Sequence, residues 1–104
     1  MGRGELPAPL PENYLALVRA RLQQELRFPI AAREQGLSGT AHVRFEVAPD
    51  GRVGAVTLVR SSGEPSLDRE ALALPRRVSP LPPPPPGTAE GGAVLAVPIV
   101  FLLR

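Results

Sequence analysis

The sequence has no cysteine and no lysine. Without a thiol there is no disulfide, no thiolate metal site and no cysteine nucleophile. Without lysine, the 12 basic side chains are all arginine, and these stay charged to very high pH. The isoelectric point of about 10.4 therefore overstates a net charge of only +2. Aromatic residues are scarce as well: Tyr14, Phe28, Phe45 and Phe101 are the whole set. The arginines are spread along the chain, and Arg76–Arg77 is the one adjacent pair. A nucleic-acid surface clusters its basic residues and interleaves aromatics, so this footprint argues against nucleic acid as a partner. Nor is there a run of 18 apolar residues, the length that spans a bilayer. No signal-peptide pattern is visible after Met1-Gly2-Arg3-Gly4; a targeting segment, if present, is expected upstream.

What the chain does have is enough apolar content for one core. Its 104 residues suit a single domain, which buries roughly two-thirds of its surface on folding. A hydrophobic fraction of 43% is ordinary for a folded domain.

Residues 1–12 carry three prolines and little periodicity, and read as an extended lead-in or linker. The domain proper is expected over 13–104. Asn13 is placed to cap a helix over Tyr14–Arg27, in which Leu15, Val18, Leu22 and Leu26 share one face. Pro29 opens a second short helical piece over Ile30–Gln35, and Gly36 stops it. From Gly39 the period changes from 3.6 to 2. Ala41, Val43, Phe45 and Val47 alternate with His42, Arg44 and Glu46 as in a half-buried strand. Pro49-Asp50-Gly51 is a turn leading into a second strand, Arg52–Arg60. There Val56 and Leu58 point inward, and Val53 is out of phase, which calls for a bulge near Gly54.

Glu64-Pro65-Ser66 starts another helix, with Asp68 and Glu70 in its first turn, where the helix dipole favours negative charge. Leu67, Ala71, Leu74 and Val78 mark its inner face. Pro75 is expected to kink it or end it about a turn early. Residues 79–92 form a loop with five consecutive prolines, a polyproline II segment, followed by a glycine-rich hinge. Ala93–Leu103 is a nearly unbroken apolar run. Pro98 at its centre argues against a helix and marks an edge strand. The order α-β-β-α-β predicts an α+β two-layer sandwich, a three-stranded antiparallel sheet with two main helices on one face.

No catalytic or metal constellation emerges. His42 is the single histidine and lies on the wet face of a strand, where a solvated side chain is the expected state. Asp68 and Glu70, two apart on a helix, point away from each other. Ser61-Ser62-Gly63 has no base in reach, and Gly-Thr-Ala-Glu-Gly-Gly lacks the lysine and spacing of a phosphate-binding loop. No cofactor, metal or enzymatic activity is expected. Arg76–Arg77 is read as a solvated pair.

One pattern is specific when taken in order. Phe28-Pro29, Ala32, Gly36 and Gly39 lead into Ala41–Val47. Asp50-Gly51-Arg52-Val53, Val56, Leu58, Ser61-Ser62-Gly63, Leu67-Asp68 and Ala71 follow, and Val97-Pro98-Ile99-Val100-Phe101 closes the chain. This resembles the TonB C-terminal domain family over about residues 14–104, in the version with the Ser-Ser-Gly and Leu-Asp signatures. Two features depart from the family pattern: Pro75 in a second helix that is commonly longer, and a proline-rich link to the last strand.

The resemblance implies a periplasmic domain of an energy transducer anchored in the inner membrane through an upstream helix and driven by an ExbB/ExbD-type proton-powered motor. It implies that the domain grips the TonB box of an outer-membrane TonB-dependent transporter and transmits energy for uptake of siderophores, cobalamin or similar cargo. The residues themselves point to the gripping surface. With Val97, Ile99, Phe101 and Leu103 inward, Val94, Ala96, Pro98, Val100 and Leu102 form the other set. A peptide adding as a strand would meet these partner-binding residues, with Ala96, Val100 and Leu102 as donors and a gap at Pro98. The alternative reading is a TolA-like, secretion or assembly scaffold of the cell envelope that pairs or dimerises through its last strand. A monomer and a strand-paired or swapped dimer both remain open.

Overall fold

The structure is a computed structural model that describes residues 10–86 and 92–103. In chain order its elements are α1 (Glu12–Glu25), α2 (Ile30–Glu34), β1 (Gly39–Val47), β2 (Val53–Arg60), α3 (Pro65–Arg77) and β3 (Ala93–Phe101). The strands make one antiparallel sheet in the order β2-β1-β3. The helices cover one face, with α3 on β1 and β2 and α1 on β3. This is the α+β two-layer arrangement expected from the pattern. The first nine residues of the lead-in, and residues 87–91 of the expected hinge, lie outside the described residues.

Alternation in β1 and β3 builds the core. Ala41, Val43, Phe45 and Val47 from β1 face the helices together with Ala93, Leu95, Val97, Ile99 and Phe101 from β3, all buried. Val18 and Leu22 of α1 and Leu67, Ala71 and Leu74 of α3 close over them. Full burial of such side chains contributes about 1.5–3 kcal/mol each. Tyr14, unremarked in the apolar pattern, is buried too. Its hydroxyl donates to the Pro82 carbonyl at 2.8 Å, tying the start of α1 to the polyproline segment, and burial raises its phenol above the ordinary 10.0.

Several local expectations are corrected. Asn13 does not cap α1; it lies inside the helix, and the residue at the N-cap is Pro11. The Pro11 carbonyl accepts from the N–H groups of Tyr14 and Leu15, each at 3.1 Å. Proline fits there because that position needs no N–H. Pro75 does not stop α3, which runs to Arg77. It falls in the last turn, where one backbone hydrogen bond is the whole loss, and its ring is buried in the core. Leu58 lies opposite the buried Val43, on the inward face as expected, yet is 37% exposed. Its strand β2 lies at the edge of the sheet, and its register against β1 shifts between Phe45 and Val47 and again between His42 and Val43. The first is the bulge anticipated near Gly54. Leu103 lies past the end of β3 and is half-buried.

The turn at residues 49–51 forms as its residue types dictate. Gly51 takes φ 95°, its N–H donates to the Ala48 carbonyl at 2.8 Å, and Asp50 Oδ1 accepts from the Arg52 N–H at 3.0 Å. The same glycine does a second job. Leu81 N–H donates to the Gly51 carbonyl at 2.8 Å, and a Cβ on Gly51 would stand 2.0 Å from the Leu81 carbonyl oxygen. The bare backbone of the turn is thus the dock for the segment that follows α3.

Candidate functional site

The site predicted from sequence is the outer side of β3. Strand β3 pairs with β1 through nine consecutive residue pairs from Gly39–Phe101 to Val47–Ala93, with no break in register. Among the described residues, its other edge has no strand neighbour. In an antiparallel ladder, successive residues direct their backbone groups alternately toward and away from the partner strand. Val100 fixes the phase. Its N–H and C=O both meet the side chain of Gln23 instead of β1. Pro98 and Ala96 are in the same phase as Val100, so the residue without an N–H sits on the open side, where no ladder bond is lost. All five predicted residues fall on the outer set. Val94 is 51%, Val100 40% and Leu102 68% exposed; Ala96 is exposed and Pro98 half-buried.

The sheet has a second free edge, on β2, and the two differ physically. The two irregularities of β2 interrupt its straight run of backbone groups, a feature that blunts an edge against further pairing. Among the described residues, the β3 edge is guarded by Pro98 and by the Gln23 contact. A regular edge of this length is the better template for an added strand.

The candidate chemical groups resolve into structural roles. Asp68 accepts from Ser62 N–H at 2.8 Å and Ser62 Oγ at 2.7 Å, and also from the Ser61 hydroxyl. It brackets the β2–α3 loop, and Gly63 in that loop takes φ 94°. Desolvation raises the Asp68 carboxyl, and the bonds from Ser61 and Ser62 outweigh it, leaving the net value below the ordinary 3.8. A carboxyl depressed on folding stabilises the native state above its unfolded pKa, and that contribution is lost as pH falls through the lower folded value. The destabilisation caused by Asp68→Asn is therefore expected to be largest at about pH 7 and to shrink below about pH 4, as urea unfolding at the two pH values will read. An equal loss at both would contradict the bracket.

Glu70 is not held by the helix dipole. It takes a forked ion pair from Arg77, at 2.5 and 3.2 Å, and a 2.8 Å bond from the Arg27 N–H. Arg77 also reaches the Glu25 carbonyl at 3.3 Å. The expectation of a solvated arginine pair thus holds for Arg76, which is exposed, and fails for Arg77, which ties the end of α1 to α3. Their separation in sequence hid this contact. His42 is half-buried opposite Pro98 and not fully solvated. Between the helices lies a groove of about 370 Å³ lined by Arg27, Pro29, Ser66, Arg69, Glu70 and Ala73. Among the described residues, no three His, Cys, Asp or Glu side chains are grouped to hold a metal ion, and no helix is long and apolar enough to cross a membrane.

Sequence reasoning missed Gln23. It follows Leu22 on α1, about 100° around the helix from the buried stripe, so it flanks the core at the level of the sheet edge. That flanking position was the available signal.

Comparison with known proteins gives a consistent placement. The family model described as Gram-negative bacterial TonB protein C-terminal matches residues 24–103. Protein TonB of Pseudomonas putida is 37% identical over 78 residues, 74% of this chain and 32% of that protein. Protein TonB of Haemophilus influenzae is 32% identical over 59 residues, 57% of this chain and 22% of that protein. The chain thus spans a third or less of these curated relatives. Among solved structures, the Helicobacter pylori TonB C-terminal domain (residues 179–285 in its own chain) superposes with a TM-score of 0.77 at 25% identity, covering 91% of this chain and 85% of that one. The HasB C-terminal domain gives 0.60 at 44% identity, covering 89% and 72%. TolAIII, solved bound to a peptide derived from the N-terminus of TolB, shares the fold, with a TM-score of 0.64 at 24% identity, covering 94% and 82%. Sequence pattern, sheet order and family match agree: the chain belongs to the Gram-negative TonB protein C-terminal family.

Proposed function

We propose that this domain binds an extended peptide as an added strand on the open edge of β3. On this reading the peptide is the TonB box of an outer-membrane TonB-dependent transporter. The domain works in the periplasm, joined through an upstream segment to an inner-membrane anchor and its proton-driven motor, and relays that energy for uptake of siderophores, cobalamin or similar cargo. The observation that carries the reading is the phase of β3: the backbone groups of Val100 face away from β1 along an unbroken nine-residue edge. Main-chain hydrogen bonds supply affinity in strand addition, and alternate side chains supply specificity. Val94, Ala96, Pro98, Val100 and Leu102 are the residues whose outer side the peptide would meet. An array of main-chain bonds lying across the direction of pull is also suited to carrying load.

The test is a titration of the isotope-labelled domain with a TonB-box peptide, followed through backbone amide shifts. Shifts centred on residues 94–102 are expected. Shifts confined to the groove between α1, α2 and α3, with β3 unmoved, would overturn the reading.

A further inference from the structure

The side-chain amide of Gln23 treats Val100 as a neighbouring strand would. Its Oε1 accepts from the Val100 N–H at 3.1 Å, and its Nε2 donates to the Val100 carbonyl at 3.3 Å. A carboxamide carries the same acceptor and N–H donor as a peptide group. One side chain from α1 therefore satisfies both outward backbone groups of a residue at the free edge. Its neighbours on that edge set the consequence. Pro98 has no N–H, and Leu102 lies beyond the strand. Val100 is thus the only residue in the C-terminal half of β3 that presents both a donor and an acceptor outward. Among the described residues, no side chain occupies the N-terminal half in this way, at Val94 and Ala96.

We infer that Gln23 is an intramolecular latch on this edge: it occupies the pairing position at Val100, and an added peptide strand must displace it to pair along the full length of β3. The inference rests on the reading of the β3 edge as the peptide site and adds its regulation. A peptide first pairs beside Val94 and Ala96, then extends past Pro98 only as Gln23 swings away. The latch also protects the edge while no peptide is present, doing from the helix layer what Pro98 does within the strand. Because both bonds are exposed, each is weak, so the latch yields to a partner that brings several main-chain bonds at once.

The test compares the wild-type domain with Gln23→Met and, as a control on the same helix, Gln24→Met. Methionine has a helix propensity close to that of glutamine and keeps an unbranched side chain of similar length. Without peptide, the Val100 amide is expected to exchange with solvent faster in Gln23→Met than in wild type, and unchanged in Gln24→Met. With a TonB-box peptide, Gln23→Met is expected to bind about 3- to 10-fold more tightly, the scale of two weak hydrogen bonds released from competition. If the peptide shifts β3 in both proteins with equal or weaker affinity for Gln23→Met, the latch is overturned and the edge reading stands. If β3 is unmoved in both proteins, the edge reading fails and the latch falls with it.

Discussion

Ala96→Pro is expected to leave the domain folded, with stability changed by less than about 1 kcal/mol, while weakening a TonB-box peptide about tenfold. Val97→Pro, one residue along, is expected to destabilise the fold by about 2–4 kcal/mol. The contrast follows from phase. Ala96 lies opposite Arg44 in the same register class as Pro98 and Val100, so its N–H faces the open edge and no ladder bond depends on it. Strand β3 already accommodates a proline two residues on, which shows that the local backbone tolerates the ring at this phase. An added peptide would lose the Ala96 donor, next to the gap that Pro98 already makes. Two adjacent outward positions would then offer carbonyls alone. Val97 lies opposite Val43 on the ladder, and its side chain is buried at 2% exposure. Proline there strands a Val43 carbonyl in the core and replaces a packed valine, and both effects raise the cost. Urea unfolding reads the first quantity and fluorescence anisotropy with a labelled peptide the second. An Ala96→Pro domain that is stable and binds like wild type would remove the edge from the mechanism.

The residues legible in advance are those whose role is set by near neighbours. Alternation over Ala41–Val47 and the proline at 98 fixed which side of β3 faces the core and which edge stays open, since both depend only on a period of 2. The turn at Gly51 followed from its own residue types. Contacts across the chain were hidden. Gln23 meets Val100 at a separation of 77 residues, and Arg77 reaches the Glu25 carbonyl across 52. Neither pairing leaves a periodic trace, because a polar residue beside an apolar stripe looks the same whether it meets water or a neighbouring element. The Asp68 bracket is hidden for a related reason. Asp68 does sit in the first turn of α3, where the dipole favours it, and only the folded loop shows that Ser61 and Ser62 hold it as well. A proline at position 75 predicts an early stop from its mean effect in a helix interior, whereas its position in the last turn of α3 reduces the loss to one bond.

Phe101→Ala is expected to give the largest loss of stability of any change argued for this domain, about 3–5 kcal/mol, against a total that for a domain of this size is about 5–15 kcal/mol. Phe101 is 1% exposed and ends β3 opposite Gly39. Its ring meets Phe28 edge-to-face, with centroids 5.7 Å apart and planes at 84°. The Arg33 guanidinium, from α2, lies over the Phe28 ring, 5.5 Å from its centroid. Truncation therefore opens a cavity beside β1 and also removes the contact that pins this connection to the sheet. The pair term is separable. A double-mutant cycle of Phe28→Ala and Phe101→Ala is expected to show a coupling of about 0.5–1.5 kcal/mol, the range for aromatic pairs beyond simple burial. Phe28, being half-buried, should cost less on its own. The change also reaches the proposed site, because Val100 is held in line by the residue that follows it. With Phe101 truncated, the end of β3 frays first, so the Val100 amide should lose exchange protection before Leu95 or Val97 does. Uniform loss of protection along β3 would mean that the strand is held as one unit, and that Phe101 does not anchor its C-terminal end separately.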